Sequence, residues 1–304
     1  MSKRDERAEL TPAEVIAVFG PTASGKSAVA EAVAARLQTE VVSVDALQVY
    51  RGLPILTNQP THPTRLVGIR SLSEQMTVGE FAPLAHAEID ALIVEHGAAV
   101  VTGGTGLYLR AALADLDLPP AVDGAVMERV ERAVEQDRAV AHARLARLDP
   151  AAATAVHPND RQRLVRALSL AESGGSLARS VDRLWNSDAR RPTAVVGLDL
   201  SAEELDHRIR ERARRMFDSG VIEEVQAALA GPLSRTVEKT LGLREIAALE
   251  PDEALERLVV RTRRYVAYQR KWMRRIPGIV MLDGERDSTA IAEEILEHLG
   301  RSST

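Results

Sequence analysis

Glu14-Val15-Ile16-Ala17-Val18-Phe19 runs into Gly20-Pro21-Thr22-Ala23-Ser24-Gly25-Lys26-Ser27, and the reading of these fourteen residues decides the fold. The first six have the composition of a buried strand. The next eight satisfy G-x-x-x-x-G-K-[ST], and Ala28 to Leu37 continues with helical periodicity. Strand, glycine loop and helix in that order make the pattern a phosphate site, because the loop turns several backbone N–H groups inward and the helix start adds partial positive charge. Gly20 and Gly25 allow backbone angles that a Cβ obstructs. Lys26 supplies a mobile cation, and the Ser27 hydroxyl is placed to ligate Mg²⁺. The loop announces a polyphosphate without naming the group transferred.

Outward from the loop, Glu40-Val41-Val42-Ser43-Val44 reads as a second strand and ends at Asp45. Leu53 to Pro63 reads as a loop and Val78 to His96 as a helix stopped by Gly97. Ala98 to Thr102 is a further strand, followed by the turn Gly103-Gly104-Thr105-Gly106. Alternating strands and helices predict an α/β fold, a P-loop NTPase-like parallel sheet flanked by helices. After Leu113 the pattern becomes purely helical, with segments at Val122–Leu148, Asp160–Glu172 and Leu177–Leu184. Strand composition returns at Ala194 to Leu198. An all-helical insertion over 116–189 therefore interrupts a core made of 12–115 and 190–304. Three further helices, at 201–217, 221–230 and 252–275, and a last strand, Ile279 to Leu282, complete the expected order.

Apolar residues make up 45% of the 304, which suffices for a large core. The net charge of −5 argues against a nonspecific nucleic-acid coat but leaves room for a local basic groove. With no cysteine, disulfides, thiolate zinc and a cysteine nucleophile are excluded. No apolar stretch reaches membrane-spanning length and no leader-like h-region follows the charged start, so a cytoplasmic, monomeric protein is expected.

Asp45, at a strand end beside the loop, is placed to hold Mg²⁺ or to act as a general base; the plainer role is a helix cap. Gln48 offers a donor and an acceptor suited to a base edge, against the plainer role of a surface amide. The Thr105 hydroxyl either meets phosphate or caps a helix. Arg208 and Arg212, four apart, share a helix face from which one can reach a diphosphate. Arg257 to Ile276 holds eight Lys or Arg and no Asp or Glu, with Tyr265, Tyr268 and Trp272 interleaved. That is either a solvated face or a surface for RNA. Arg161, Arg163 and Arg166 form a second basic cluster.

The loop Gly20–Ser27 and Asp45-x-x-Gln48-Val49-Tyr50 come first, then Gly103-Gly104-Thr105-Gly106-Leu107-Tyr108. His157-Pro158-Asn159-Asp160-x-x-Arg163-x-x-Arg166-Ala167-Leu168 and Thr262-Arg263-x-Tyr265…Gln269-x-x-Trp272 follow in that order. This set resembles the tRNA dimethylallyltransferase (isopentenyltransferase) family across nearly the whole chain. The resemblance implies dimethylallyl diphosphate as donor, Mg²⁺ as cofactor, and as acceptor the N6 amine of the adenine 3′-adjacent to the anticodon of tRNA. It implies that Asp45 is the base and that Thr22, Ser24, Lys26 and Ser27 clamp the diphosphate with Thr105 and Arg212. It further implies tRNA contacts by Asp45, Ala46, Leu47, Gln48, Thr105 and Met127. Gln162, Arg163, Leu164, Val165 and Arg166 would join them, as would Lys239, Thr240, Leu241, Gly242, Leu243 and Arg244. The helical insertion would grip the anticodon stem-loop, with the target base flipped out. An adenylate isopentenyltransferase, which prenylates AMP, and a small-molecule P-loop kinase stay open as alternatives. The chain departs from the family pattern at Ala46, where Ser is usual, and at Thr57-Asn58-Gln59-Pro60, where Thr-Ala-Lys-Pro is usual. It also departs at Met127, Leu243, Ala267 and Tyr268, so several cations are absent from the expected tRNA surface.

Overall fold

The computed structural model describes residues 13–116, 118–177 and 188–300. Its strands are β1 (Val15–Phe19), β2 (Val41–Ser43), β3 (Thr64–Arg65), β4 (Ala99–Gly103), β5 (Thr193–Asp199) and β6 (Val280–Asp283). They form one sheet in the order β3-β2-β4-β1-β5-β6, parallel throughout. β1 lies between β4 and β5, and every residue of β1 and β4 is buried. Alternation decides which face each side chain serves. Val15, Ala17 and Phe19 join the core on one side, and Ile16 and Val18 join the core on the other. The carboxyl ends of β1, β2 and β4 therefore open side by side, into Gly20, Val44-Asp45 and Gly104.

The core unit, Met1–Ala114 with Ser187–Thr304, also contains α1 (Lys26–Leu37), α2 (Val78–His96) and α3 (Gly106–Leu113). After β5 come α8 (Ala202–Asp218), α9 (Val221–Leu229), α10 (Leu243–Ala248), α11 (Pro251–Met273) and α12 (Ser288–His298). α2 starts where sequence rules place it: Thr77 and Glu80 form a reciprocal capping box, and Gly97 closes the helix in the left-handed conformation. α12 was not among the expected elements. Asp287 caps it by accepting from the Thr289 and Ala290 amides, and Ile291, Ile295 and Leu296 are buried in the core shared with α1. The two-residue β3 also escaped the periodicity reading. Arg65 fastens it, pairing with Glu40 at 3.1 Å and Glu88 at 2.8 Å. Among the described residues no helix is long and apolar enough to cross a membrane.

The second unit, Asp115–Asn186, holds α4 (Gly124–Gln136), α5 (Arg138–Leu148), α6 (Pro150–Ala155) and α7 (Arg161–Glu172). The single helix expected over 122–148 is two, because the Asp137 carboxylate turns back to accept from the Ala139 and Val140 amides and starts α5 afresh. Asp149 does the same for α6. Most of the expected Leu177–Leu184 helix lies outside the described residues. Val130, Val134, Leu145, Leu164 and Leu168 form this unit's own core. At the base of the insertion, within the core unit, the Arg190 amide donates to the Leu113 carbonyl at 2.8 Å, and Arg190 and Arg191 both pair with Asp90.

Leu164 is fully buried and Val165 nearly so, which removes their side chains from the expected tRNA contacts. Leu164→Ala is expected to destabilise the helical unit by about 2–5 kcal/mol, the usual cost of such a truncation. Chemical denaturation reads this directly, and unchanged stability would take Leu164 out of the core.

Candidate active site

The phosphate loop takes its shape from local constraints. A Cβ on Gly20 would lie 2.5 Å from the Ser24 hydroxyl, and Gly25 holds φ +84°, so both positions need glycine. The Ser24 amide donates to the Pro21 carbonyl at 3.2 Å. The Ser24 side chain is buried against Gly20 and its oxygen has no hydrogen-bond partner among the described residues. That hydroxyl faces the loop's interior rather than the pocket above it. Lys26 reaches the Pro21 carbonyl at 3.5 Å.

A pocket of about 470 Å³ opens over Gly25, Lys26 and Ser27 and is walled by α8 through Arg208, Arg212 and Arg215. Arg208 is held by Glu204 and by the Gly284 carbonyl at 3.1 Å. Removal from water pulls the Lys26 ammonium down to about 8; nearby Arg212 adds to this and the Asp45 carboxylate opposes it. Burial likewise lowers Arg212, to about 10, with Asp45 again opposing and Arg215 adding. Lys26 and Arg212 thus share one pocket, with the Asp45 carboxylate acting on both.

Asp45 follows β2, and its Oδ1 accepts from the Leu47 amide at 2.9 Å, which shapes the turn after the strand. Thr105 stands at the N-cap of α3 without making a side-chain cap bond. Tyr265 lies beside it, and burial together with the Asp45 charge pushes that phenol up to about 12. Asp45, Thr105, Lys26, Arg212 and Tyr265 are therefore neighbours. Tyr265 was expected to stack on RNA; its spacing from Gln269 and Trp272 on α11 was the available signal for a shared inward face.

Other expected contacts are engaged elsewhere. The Gln48 Oε1 accepts from Ser43 at 2.8 Å and its Nε2 donates to the Asn58 carbonyl at 2.8 Å. Gln48 thus secures its own loop rather than presenting a base-reading edge. Ala46 packs on the core. Met127 packs on the core of the helical unit, with its sulfur 3.7 Å from the Ser169 hydroxyl. Arg166 donates to the Pro119 and Pro120 carbonyls at 3.2 and 3.0 Å. Thr240, Gly242 and Leu243 are buried and Leu241 packs on the core, which corrects their reading as tRNA-facing residues. Lys239, Arg244, Gln162 and Arg163 are exposed.

The described residues contain no cluster of three His, Cys, Asp or Glu able to hold a metal. The Ser27 hydroxyl at the pocket wall suits Mg²⁺, which takes few protein oxygens and completes its shell with phosphate and water.

A parallel α/β sheet with a glycine-lysine loop, and two cations in a pocket beside one strand-end carboxylate, defines a P-loop enzyme that works on a polyphosphate. The chain belongs to the IPP transferase family, whose model matches residues 48–276, and an isopentenyl transferase model matches 13–72. It is 38% identical over 302 residues to the tRNA dimethylallyltransferase of Anaeromyxobacter sp. (strain K), covering 93% of this chain and 97% of that one. It is 35% identical over 302 residues to the enzyme of the same name from Rhodococcus jostii (strain RHA1), covering 94% and 96%. Among solved structures, the full-length tRNA isopentenylpyrophosphate transferase of Bacillus halodurans superposes with TM-score 0.65 at 28% identity, covering 94% and 97%. A eukaryotic dimethylallyltransferase acting on tRNA shares the fold, with TM-score 0.76 at 23% identity, covering 95% and 80%.

A bound diphosphate stabilises the Lys26 ammonium, so binding above about pH 8 must take up a proton. Pyrophosphate affinity, measured by calorimetry, should be level below about pH 8 and fall as pH rises beyond it. In Lys26→Met the affinity should be lower and that fall absent. A parental affinity flat through this range would contradict the lowered lysine.

Proposed function

We propose that this chain transfers the dimethylallyl group of dimethylallyl diphosphate to N6 of the adenine 3′-adjacent to the anticodon of tRNA, releasing diphosphate. The convergence of Lys26, Arg212 and Asp45 at the strand ends carries this reading. An exocyclic adenine amine is a weak nucleophile, and diphosphate leaves readily only when its charge is neutralised. Lys26, Arg212 and the loop amides neutralise it. Mg²⁺ at Ser27 would supply further charge stabilisation of the same group. Asp45 accepts the N6 proton as the new C–N bond forms and the C–O bond to diphosphate breaks. Tyr265, kept protonated, and Thr105 line the same spot and orient the reacting groups.

Membership of the IPP transferase family and relatives named for tRNA support RNA as the acceptor class. A separate helical unit carrying exposed Gln162 and Arg163 supports it as well. Incubation of the protein with radiolabelled dimethylallyl diphosphate and either total tRNA or AMP separates the acceptors. Label is expected in tRNA. Label in AMP alone would move the assignment to an adenylate isopentenyltransferase, and steady ADP release from ATP would move it to the kinases.

Asp45→Asn keeps the shape and removes the base. Its kcat should fall by about two to four orders of magnitude, while pyrophosphate binding stays level or tightens because an opposing charge is gone. Near-parental turnover would remove Asp45 from the chemistry.

A further inference from the structure

One face of α11 is fitted to one turn. Tyr265, Gln269 and Trp272 are spaced to share that face, and they meet three successive residues of the glycine turn. The Trp272 ring lies over Gly106, where any Cβ would collide with it. Tyr265 lies beside Thr105. Gln269 Nε2 donates to the Gly104 carbonyl at 3.0 Å, and a Cβ on Gly104 would strike that amide.

Gln269 does more than seat the helix. Its Oε1 accepts from the Thr22 amide of the phosphate loop at 2.8 Å. Gln269 is 2% exposed; its bond to Gly104 is buried and its bond to Thr22 partly so. One amide therefore joins two segments far apart in sequence, the loop that carries Lys26 and the turn that carries Thr105. A residue present only to fill space would not need a donor and an acceptor aimed at two different backbones. The Thr22 amide is directed at Gln269, which fixes the early part of the loop before any diphosphate arrives.

We propose that Gln269 is a positioning residue for the transfer step, its amide holding the diphosphate loop and the Thr105 turn in one register so that leaving group and acceptor meet in line. This rests on the reading above, in which the loop holds the leaving diphosphate and Thr105 stands beside the acceptor. Such alignment is sensitive: a displacement of about 1 Å can cost about a hundredfold in rate.

Two variants test it. Gln269→Met keeps length and volume but leaves the Thr22 amide and the Gly104 carbonyl without their partner. Its kcat should fall about 10- to 100-fold, its pyrophosphate affinity should fall, and its KM for tRNA should stay close to the parent's. Gln269→Glu is a titratable version of the same amide. Protonated, the carboxyl donates to Gly104 and accepts from Thr22 as the amide does; ionised, it loses the donor. Its kcat/KM relative to the parent should therefore drop by about tenfold or more between about pH 6 and about pH 8.5, with the added carboxyl titrating above its ordinary value because the neutral form is the one held. Packing alone would give no such profile. Thermal unfolding checks both variants, and if Gln269→Met fails to fold, the pH profile of Gln269→Glu decides. Parental kinetics in Gln269→Met, or a flat pH ratio in Gln269→Glu, would overturn the proposal. A parent that binds pyrophosphate but transfers nothing to tRNA or AMP would sink the functional reading instead. Gln269 is then judged on pyrophosphate affinity alone: weakening in Gln269→Met supports its hold on the loop, and no change refutes it.

Discussion

Holding Lys26 and Arg212 half-buried, close together and within reach of Asp45, is the constraint on which the rest of the structure depends. Each cation is lowered by burial and by a like-charged neighbour, so the arrangement is unfavourable until an anion enters. Chain connectivity alone would let such groups separate. They stay together because Lys26 begins a helix rooted in β1, Asp45 follows β2, and Arg212 lies on α8, packed on the same core through Ile209 and Ala213. The parallel sheet converts charge repulsion into stored affinity for a diphosphate. A carboxylate too far from the pair would leave the pocket more basic, and one salt-bridged to either cation would be a poor base.

Much of this was legible in the chain because it is local. Gly20 to Ser27 carries its geometry in its own backbone requirements, and the buried strands Val15–Phe19 and Ala99–Gly103 are continuous apolar runs. What was not legible depends on side chains that redirect the chain. The break at Asp137 comes from a carboxylate turning back on two amides inside an otherwise helical pattern. β3 exists through Arg65 and its acidic partners rather than through alternation. α12 is marked in the sequence by its cap at Asp287 and by apolar spacing at Ile291, Ile295 and Leu296.

Of the candidate site, the sequence marked the groups that the fold gathers at one place, and less of their surroundings. Asp45, Lys26, Thr105 and Arg212 are brought together. The same motifs include residues whose work is internal, such as Leu164 and Leu243 in the cores and Gln48 in its own loop. A motif marks positions that matter, and a buried leucine can matter as much as a ligand. Gln59 shows the same distinction. It stands where a lysine is usual in the family pattern, and its amide donates to the Gln48 and Tyr50 carbonyls, closing the loop after β2 from within.

The bond between Arg190 and Leu113 has a consequence for how the chain is made. It closes the neck of the insertion, so the path of the core leaves and returns at nearly one point. Loop-closure cost grows only with the logarithm of length, so the insertion can lengthen or shorten with little effect on the sheet. Yet β5, the neighbour of β1, lies beyond that neck. During synthesis the ribosome must deliver the whole helical unit before the sheet can close over β1. Until then β1 has one side unpaired, and the helical unit, with its own core, is free to fold first.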